Sequence, residues 1–256
     1  MVKLEVHQFS ARSDNYGVLI HDPETGATAS IDAPDADAVI EALYQKGWTL
    51  THILTTHHHG DHTAGNKRLK ALTGCIVVGP KQEAGSIPAI DVEVSEGDGV
   101  AVGKRNGLVI ETPGHTRGHV SYFFPDDGIV FVGDTLFSVG CGKLLEGDAK
   151  TMWRSLQKLM ALPAETQLYC GHEYTRANTK FALTVEPDNA ELQARAVEAE
   201  ELTKRREPAL PTTIARELAT NPFLRPASAE IQKRLGMEGR ELWEIFGETR
   251  RRKDRF

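Results

Sequence analysis

The chain has 256 residues, 40% hydrophobic and 26% charged, enough for one large domain, or a domain with a small companion, around a sizeable apolar core. Its formal net charge of −6 argues against nucleic acid as an electrostatic partner. Three widely spaced cysteines, Cys75, Cys141 and Cys170, argue against a disulfide scaffold and fit a reducing compartment.

The first residues, Met1-Val2-Lys3-Leu4-Glu5, lack the apolar core of a signal peptide. No run reaches the roughly 18 apolar residues of a membrane span. A soluble, cytoplasmic protein that does not engage a membrane is expected. Val18-Leu19-Ile20, the turn residues Asp22 to Gly26, and Ala29-Ser30-Ile31-Asp32 read as a hairpin. A helix is predicted from Ala36 to Gln45, with Val39, Ile40 and Leu43 on one face and Gly47 beyond its end. Leu50 to Thr55 reads as a strand, Ala64 to Leu72 as a helix ending at Gly74, and Ile76-Val77-Val78 as a buried strand. Val92 to Val102 and Leu108 to Glu111 are strand-like. Val120 to Phe124 and Ile129 to Val132, joined by Asp126-Asp127-Gly128, form a strong hairpin signal. Met152, Trp153, Leu156, Leu159 and Met160 share one helical face, and Leu168-Tyr169-Cys170 reads as a last strand. Beyond about residue 176 strand signals vanish. Helices are predicted over Asn189 to Arg206, Ala229 to Leu235 and Arg240 to Phe246, broken by Pro208, Pro211, Pro222 and Pro226. The expected division is 1–175 for a metal-binding catalytic domain and 176–256 for a small helical domain.

The chemistry concentrates in His57-His58-His59-Gly60-Asp61-His62, five metal-capable side chains in six residues. The stretch follows Ile53-Leu54, so alternation sends His57 and His59 one way and His58 the other. Asp61 and His62 come after a turn at Gly60 and reach a second nearby point. Three further ligand types stand singly after glycines at strand ends: His115, Asp134 and His172. Seven ligands exceed one tetrahedral shell and suit two cations sharing a carboxylate. His57, His59 and His115 are expected on the first metal and Asp61, His62 and His172 on the second. Asp134 is the natural bridge, since a carboxylate has two oxygens to share. His7, His21 and His52 read as ordinary packing histidines, and His119 as a supporting residue at most.

These residues resemble the metallo-β-lactamase superfamily and, within it, the glyoxalase II (hydroxyacylglutathione hydrolase) family. Resemblance extends through Thr55-Thr56-His57-His58-His59, Gly65-Asn66, Thr112-Pro113-Gly114-His115-Thr116, Val132-Gly133-Asp134-Thr135-Leu136-Phe137 and Cys141-Gly142-Lys143. It continues through Tyr169-Cys170-Gly171-His172-Glu173-Tyr174-Thr175, Lys180-Phe181-Ala182, Asn221-Pro222-Phe223-Leu224-Arg225 and the last six residues, Arg251 to Phe256. The metal motif points to the superfamily and the C-terminal segments to the family. The resemblance implies an α+β fold, an αββα sandwich followed by a small C-terminal α-helical domain. It implies two divalent metal ions per chain, zinc first with iron or manganese as alternatives. Lys143, Tyr174, Arg250 and Lys253 stand where the family holds glutathione. Leu145 stands where many members carry a tyrosine, which bears on substrate affinity, and Gly60 where many carry a larger residue.

The reaction so implied is hydrolysis of an S-(2-hydroxyacyl)glutathione, such as S-D-lactoylglutathione, to glutathione and D-lactate by hydroxide shared between two metals, in methylglyoxal detoxification. Asp61 and Asp134 are its candidate catalytic carboxylates. The small-molecule thioester is the expected partner and a monomer the expected state. A β-lactamase, lactonase, nuclease or mononuclear-iron dioxygenase of the same superfamily is the nearest rival. A structural metal module is disfavoured, since closed structural shells commonly use cysteine.

Overall fold

The computed structural model describes residues 3–256. The chain divides into two compact units, one holding the residues up to Glu111 with Thr116–Gly133 and the other Thr112–His115 with Asp134–Phe256.

The first unit begins with β1 (Glu5–Ala11), β2 (Asn15–His21) and β3 (Thr28–Ile31), an antiparallel meander. Helix α1 (Ala36–Lys46) starts where the Asp35 carboxylate accepts the Ala38 N–H at 2.9 Å. It stops at Gly47, whose φ of 67° only glycine adopts without cost. Strand β4 (His52–Leu54), the short α2 (Gly60–Thr63), α3 (Asn66–Thr73), β5 (Ile76–Pro80), a 3₁₀ turn over Lys81–Ser86 and β6 (Val92–Val94) follow. Strands β3 to β6 are parallel, with Ile31, Leu54 and Val78 in register. Their carboxyl ends therefore emerge along one edge, the usual place for a site in parallel sheets. Val39, Leu43, Leu19, Ile53, Leu69 and Val77 form the core beneath α1 and α3.

Strands β7 (Gly99–Val102), β8 (Arg105–Glu111), β9 (Val120–Phe124) and β10 (Ile129–Phe131) pair antiparallel in the order β10-β9-β8-β7. The strand expected over Val92 to Val102 is in fact two, β6 and β7, in different sheets. The Ser95-Glu96-Gly97-Asp98 turn separates them, with the Ser95 N–H bound by the Asp98 carboxylate and Gly97 at φ 81°. Asp22 ties the two sheets together. Its carboxylate accepts the Lys104 N–H at 2.9 Å, the Thr25 hydroxyl at 2.7 Å and Arg105 Nε at 3.3 Å. Burial opposes that charge, but these donors prevail and hold the carboxyl at about 2. β1, too polar in sequence to announce itself, owes its place to seven paired positions with β2.

The second unit contains the two-residue strands β11 (Leu136–Phe137) and β12 (Gly140–Cys141), helix α4 (Ala149–Met160) and β13 (Gln167–Tyr169). Helices α5 (Thr175–Val185) and α6 (Ala190–Arg205), strand β14 (Thr212–Thr213), and α7 (Ile214–Thr220), α8 (Ala229–Leu235) and α9 (Leu242–Arg255) complete it. Thr212 pairs with Leu168, so one short strand does lie beyond residue 176. Its two residues are too few to carry a period. Phe181, Phe223, Phe246 and Trp153 form a chain of ring contacts about 6 Å apart. Helix α9 runs nine residues past the expected end at Phe246. Glu241 and Glu244 close a capping box at its start. Glu248 pairs with Arg251 and Arg252, and Asp254 with Arg250. The basic end also suits the negative pole of the helix. Among the described residues no helix is long and apolar enough to cross a membrane.

Candidate metal centre

In the first unit the chain leaves β4 at Leu54 and passes through five residues without regular structure to α2. Alternation survives the loss of pairing. His57 Nε2 and His59 Nδ1 approach to 3.1 Å, while His58 Nδ1 turns away to the Glu83 carboxylate at 2.8 Å. Asp61 and His62 arrive on the single turn of α2 rather than on an open turn. His62 Nε2 stands 3.6 Å from Asp61 Oδ2, and the His57 and His62 ring centres are 4.1 Å apart.

Asp32, just past β3, organises this half. Its Oδ2 accepts His62 Nδ1 at 2.8 Å and the Thr56 hydroxyl at 2.9 Å, and its Oδ1 accepts the Thr56 N–H at 2.7 Å. The Thr56 hydroxyl, its proton committed to Asp32, accepts His57 Nδ1–H at 3.0 Å. Both imidazoles are thereby held with Nδ1 protonated and Nε2 bearing the lone pair a metal needs. Asn15 Nδ2 donates to Asp61 at both its carbonyl, 3.2 Å, and Oδ2, 3.3 Å.

In the second unit His115 Nε2 and His172 Nε2 stand 3.5 and 3.3 Å from the same Asp134 oxygen, Oδ2. His115 Nδ1–H donates to the Lys143 carbonyl at 2.9 Å, again leaving Nε2 for a metal. Tyr174 stacks on His172 at 5.0 Å with an interplanar angle of 3°. All three donor side chains are buried.

Metal–nitrogen distances of about 2.0–2.1 Å in a tetrahedral shell put neighbouring ligand atoms about 3.3 Å apart. The separations of 3.1 Å in the first unit and 3.3 and 3.5 Å in the second match ligands of a shared cation. The donor set thus fits divalent metal.

The expected glutathione residues all fall in the second unit. Lys143 is exposed on the loop after β12. Arg250 is buried on α9, its guanidinium bound to the Cys141 carbonyl at 2.8 Å and to Asp254 and packed over Phe223. Lys253, one turn along, lies between the Phe181 and Phe256 rings. Burial, and then the positive charge of Arg250 and of Lys143, push its amine below its usual value, with Asp254 opposing. Lys143, Arg250 and Lys253 thus lie close enough for their charges to act on one another. Leu145 is exposed in the same loop. Burial pushes the Cys141 thiol up to about 11 and raises Cys170 still further, so neither is a thiolate nucleophile.

Sequence reasoning missed Asp32, Asn15 and Glu83. The only signal for Asp32 was a carboxylate directly after a buried strand. His119 packs in a supporting place, its ring 4.9 Å from that of His57. His21 instead stacks on Trp48.

Residues 17–172 match the model of the metallo-beta-lactamase superfamily, and residues 173–256 that of the hydroxyacylglutathione hydrolase C-terminus. A hydroxyacylglutathione hydrolase of Maricaulis maris (strain MCS10) is 54% identical over 256 residues, and one of Rhizobium etli 52%, each alignment covering all of both chains. The crystal structure of BLEG-1 B3 metallo-beta-lactamase aligns with a TM-score of 0.67 over 86% of this chain and 100% of its own, at 22% identity. The expected fold, a metallo-β-lactamase domain followed by a helical C-terminal domain, is borne out, and the chain belongs to the hydroxyacylglutathione hydrolase (glyoxalase II) family of the metallo-β-lactamase superfamily.

Proposed function

We propose that this chain hydrolyses S-(2-hydroxyacyl)glutathione thioesters, with S-D-lactoylglutathione as the representative substrate, to glutathione and a 2-hydroxy acid in methylglyoxal detoxification. Family membership from end to end supports the reaction. The cation cluster of Lys143, Arg250 and Lys253 supports the glutathione part, because glutathione carries carboxylates that such a cluster can bind. Catalysis is assigned to the region 1–175 and substrate binding to 176–256 with the Lys143 loop.

His57, His59 and His115 are assigned to one divalent ion, Asp61, His62 and His172 to a second, and Asp134 to both. When bound, two such ions, zinc first and iron or manganese as alternatives, make hydroxide available near neutral pH and polarise the carbonyl under attack. The protein's own groups do the rest. Asp61, held by Asn15, accepts a hydrogen bond from the attacking water and so aims it at the acyl carbon. Asp32 and the Lys143 carbonyl keep the imidazole lone pairs turned inward. Lys143 and Lys253 bind the glycine carboxylate of glutathione through charge-assisted hydrogen bonds. Arg250 adds charge and, through the Cys141 carbonyl, fixes the loop that presents Lys143. Tyr174 borders the same region against His172. The leaving thiolate, with an ordinary pKa near ~8.5, needs no acid to assist it. A cytoplasmic monomer is the proposed working form, and the three cysteines are free and buried, as suits a reducing compartment.

The purified chain is expected to hydrolyse S-D-lactoylglutathione, to lose that activity to a chelator and to regain it with zinc. Hydrolysis of β-lactams or lactones with none of the glutathione thioester would overturn the substrate assignment.

A further inference from the structure

Three histidines stand in a row, and the central one commits its Nδ1 to a carboxylate although its ring lies 4.9 Å from that of His59. His58 donates twice to a single oxygen, Glu83 Oε2, through its N–H at 2.7 Å and Nδ1–H at 2.8 Å. The other oxygen, Oε1, accepts the Gly118 N–H at 2.7 Å. Glu83 is buried, with only 7% of its surface exposed. One carboxylate therefore grips two separate segments. The first is the stretch after β4, where the ladder has ended and the His58 N–H has no strand to pair with. The second is Gly118-His119, whose imidazole stacks on the His57 ring at 4.9 Å. Close approach is built in: a Cβ on Gly118 would lie 2.7 Å from both Gln82 Cβ and Glu83 Cγ.

We infer that Glu83 is a positioning residue for the metal centre, with His58 as its latch: it sets the alternation that turns His57 and His59 toward one point and locks the His119 ring against that of His57. The inference rests on the assignment of His57 and His59 as metal ligands. A carboxylate is needed rather than an amide, because both oxygens face N–H donors. Glutamine can satisfy one segment, but its NH₂ then confronts the donor of the other.

The test is zinc affinity, measured by competition with a chromophoric chelator on wild type, Glu83→Gln and Glu83→Ala, with kinetics on S-D-lactoylglutathione. Glu83→Gln is expected to bind zinc about 10–100-fold more weakly. Its kcat at limiting zinc is expected to fall while KM stays within about twofold. The metal-free variant is expected to melt within a few degrees of wild type. Glu83→Gln decides the matter even where Glu83→Ala does not fold. Wild-type zinc affinity in Glu83→Gln, or a loss of affinity only as large as a matching loss of metal-free stability, would overturn the inference alone. A wild-type chain that binds no zinc would overturn the ligand assignment, and the inference with it.

Discussion

Replacing Asp134 with alanine is expected to remove metal and activity together, with kcat/KM falling by about three orders of magnitude or more. The size follows from the several kcal/mol that metal-ion catalysis supplies, each ~1.4 kcal/mol being tenfold. The reason is local. His115 and His172 both aim Nε2 at Asp134 Oδ2, at 3.5 and 3.3 Å. Without that oxygen two imidazoles keep their places but lose the anion that completes a shared shell. The preceding position leaves no room for a side chain. Gly133 sits at φ 45°, and a Cβ there would lie 2.6 Å from Thr56 Oγ1 and 2.7 Å from His119 Nε2. Elemental analysis with steady-state kinetics checks the expectation, and retention of two metals by Asp134→Ala would contradict a bridging carboxylate.

The second large effect is expected in KM. Lys143→Ala combined with Lys253→Ala is expected to raise KM for S-D-lactoylglutathione about 10–100-fold and to leave kcat within about threefold. A charge-assisted hydrogen bond contributes about 1.5–3 kcal/mol when sheltered. Lys143 is exposed and Lys253 only partly buried, so about 1 kcal/mol each is the fairer figure after solvent screening. The lost interaction is the same in the bound substrate and in the transition state, which places it in KM. Wild-type KM is also expected to climb with ionic strength, and the double variant to respond less. An unchanged KM in the double variant would remove both amines from the glutathione site. Arg250 is a poorer probe, because truncating it also strips the Cys141 carbonyl and Asp254 of their partner.

The metal half of this chemistry was legible in sequence because its code is local. Alternation over three residues separates His57 and His59 from His58, and glycine marks the turns that deliver His115, Asp134 and His172. The supporting shell was not legible for the opposite reason. Asp32, Asn15 and Glu83 come from strand ends and turns 24 to 46 residues away from what they bind. Each is a single polar residue with no periodic signature. Fold elements divide in the same way. The α1 helix, its Gly47 cap and the hairpin of β9 and β10 follow from period and turn residues. The split of β6 from β7 turns on four residues, Ser95 to Asp98, within an otherwise strand-like run. Helix α9 extends past Phe246 through ion pairs and a capping box rather than through an apolar stripe.

The proposed function requires seven side chains to hold two cations, with both needed for hydrolysis. Metal-free enzyme titrated with zinc, with bound metal and S-D-lactoylglutathione hydrolysis followed together, tests it most directly. Activity is expected to rise to a plateau at two equivalents per chain. Full activity at one equivalent, or a chain loaded with two that leaves the thioester intact, would contradict it.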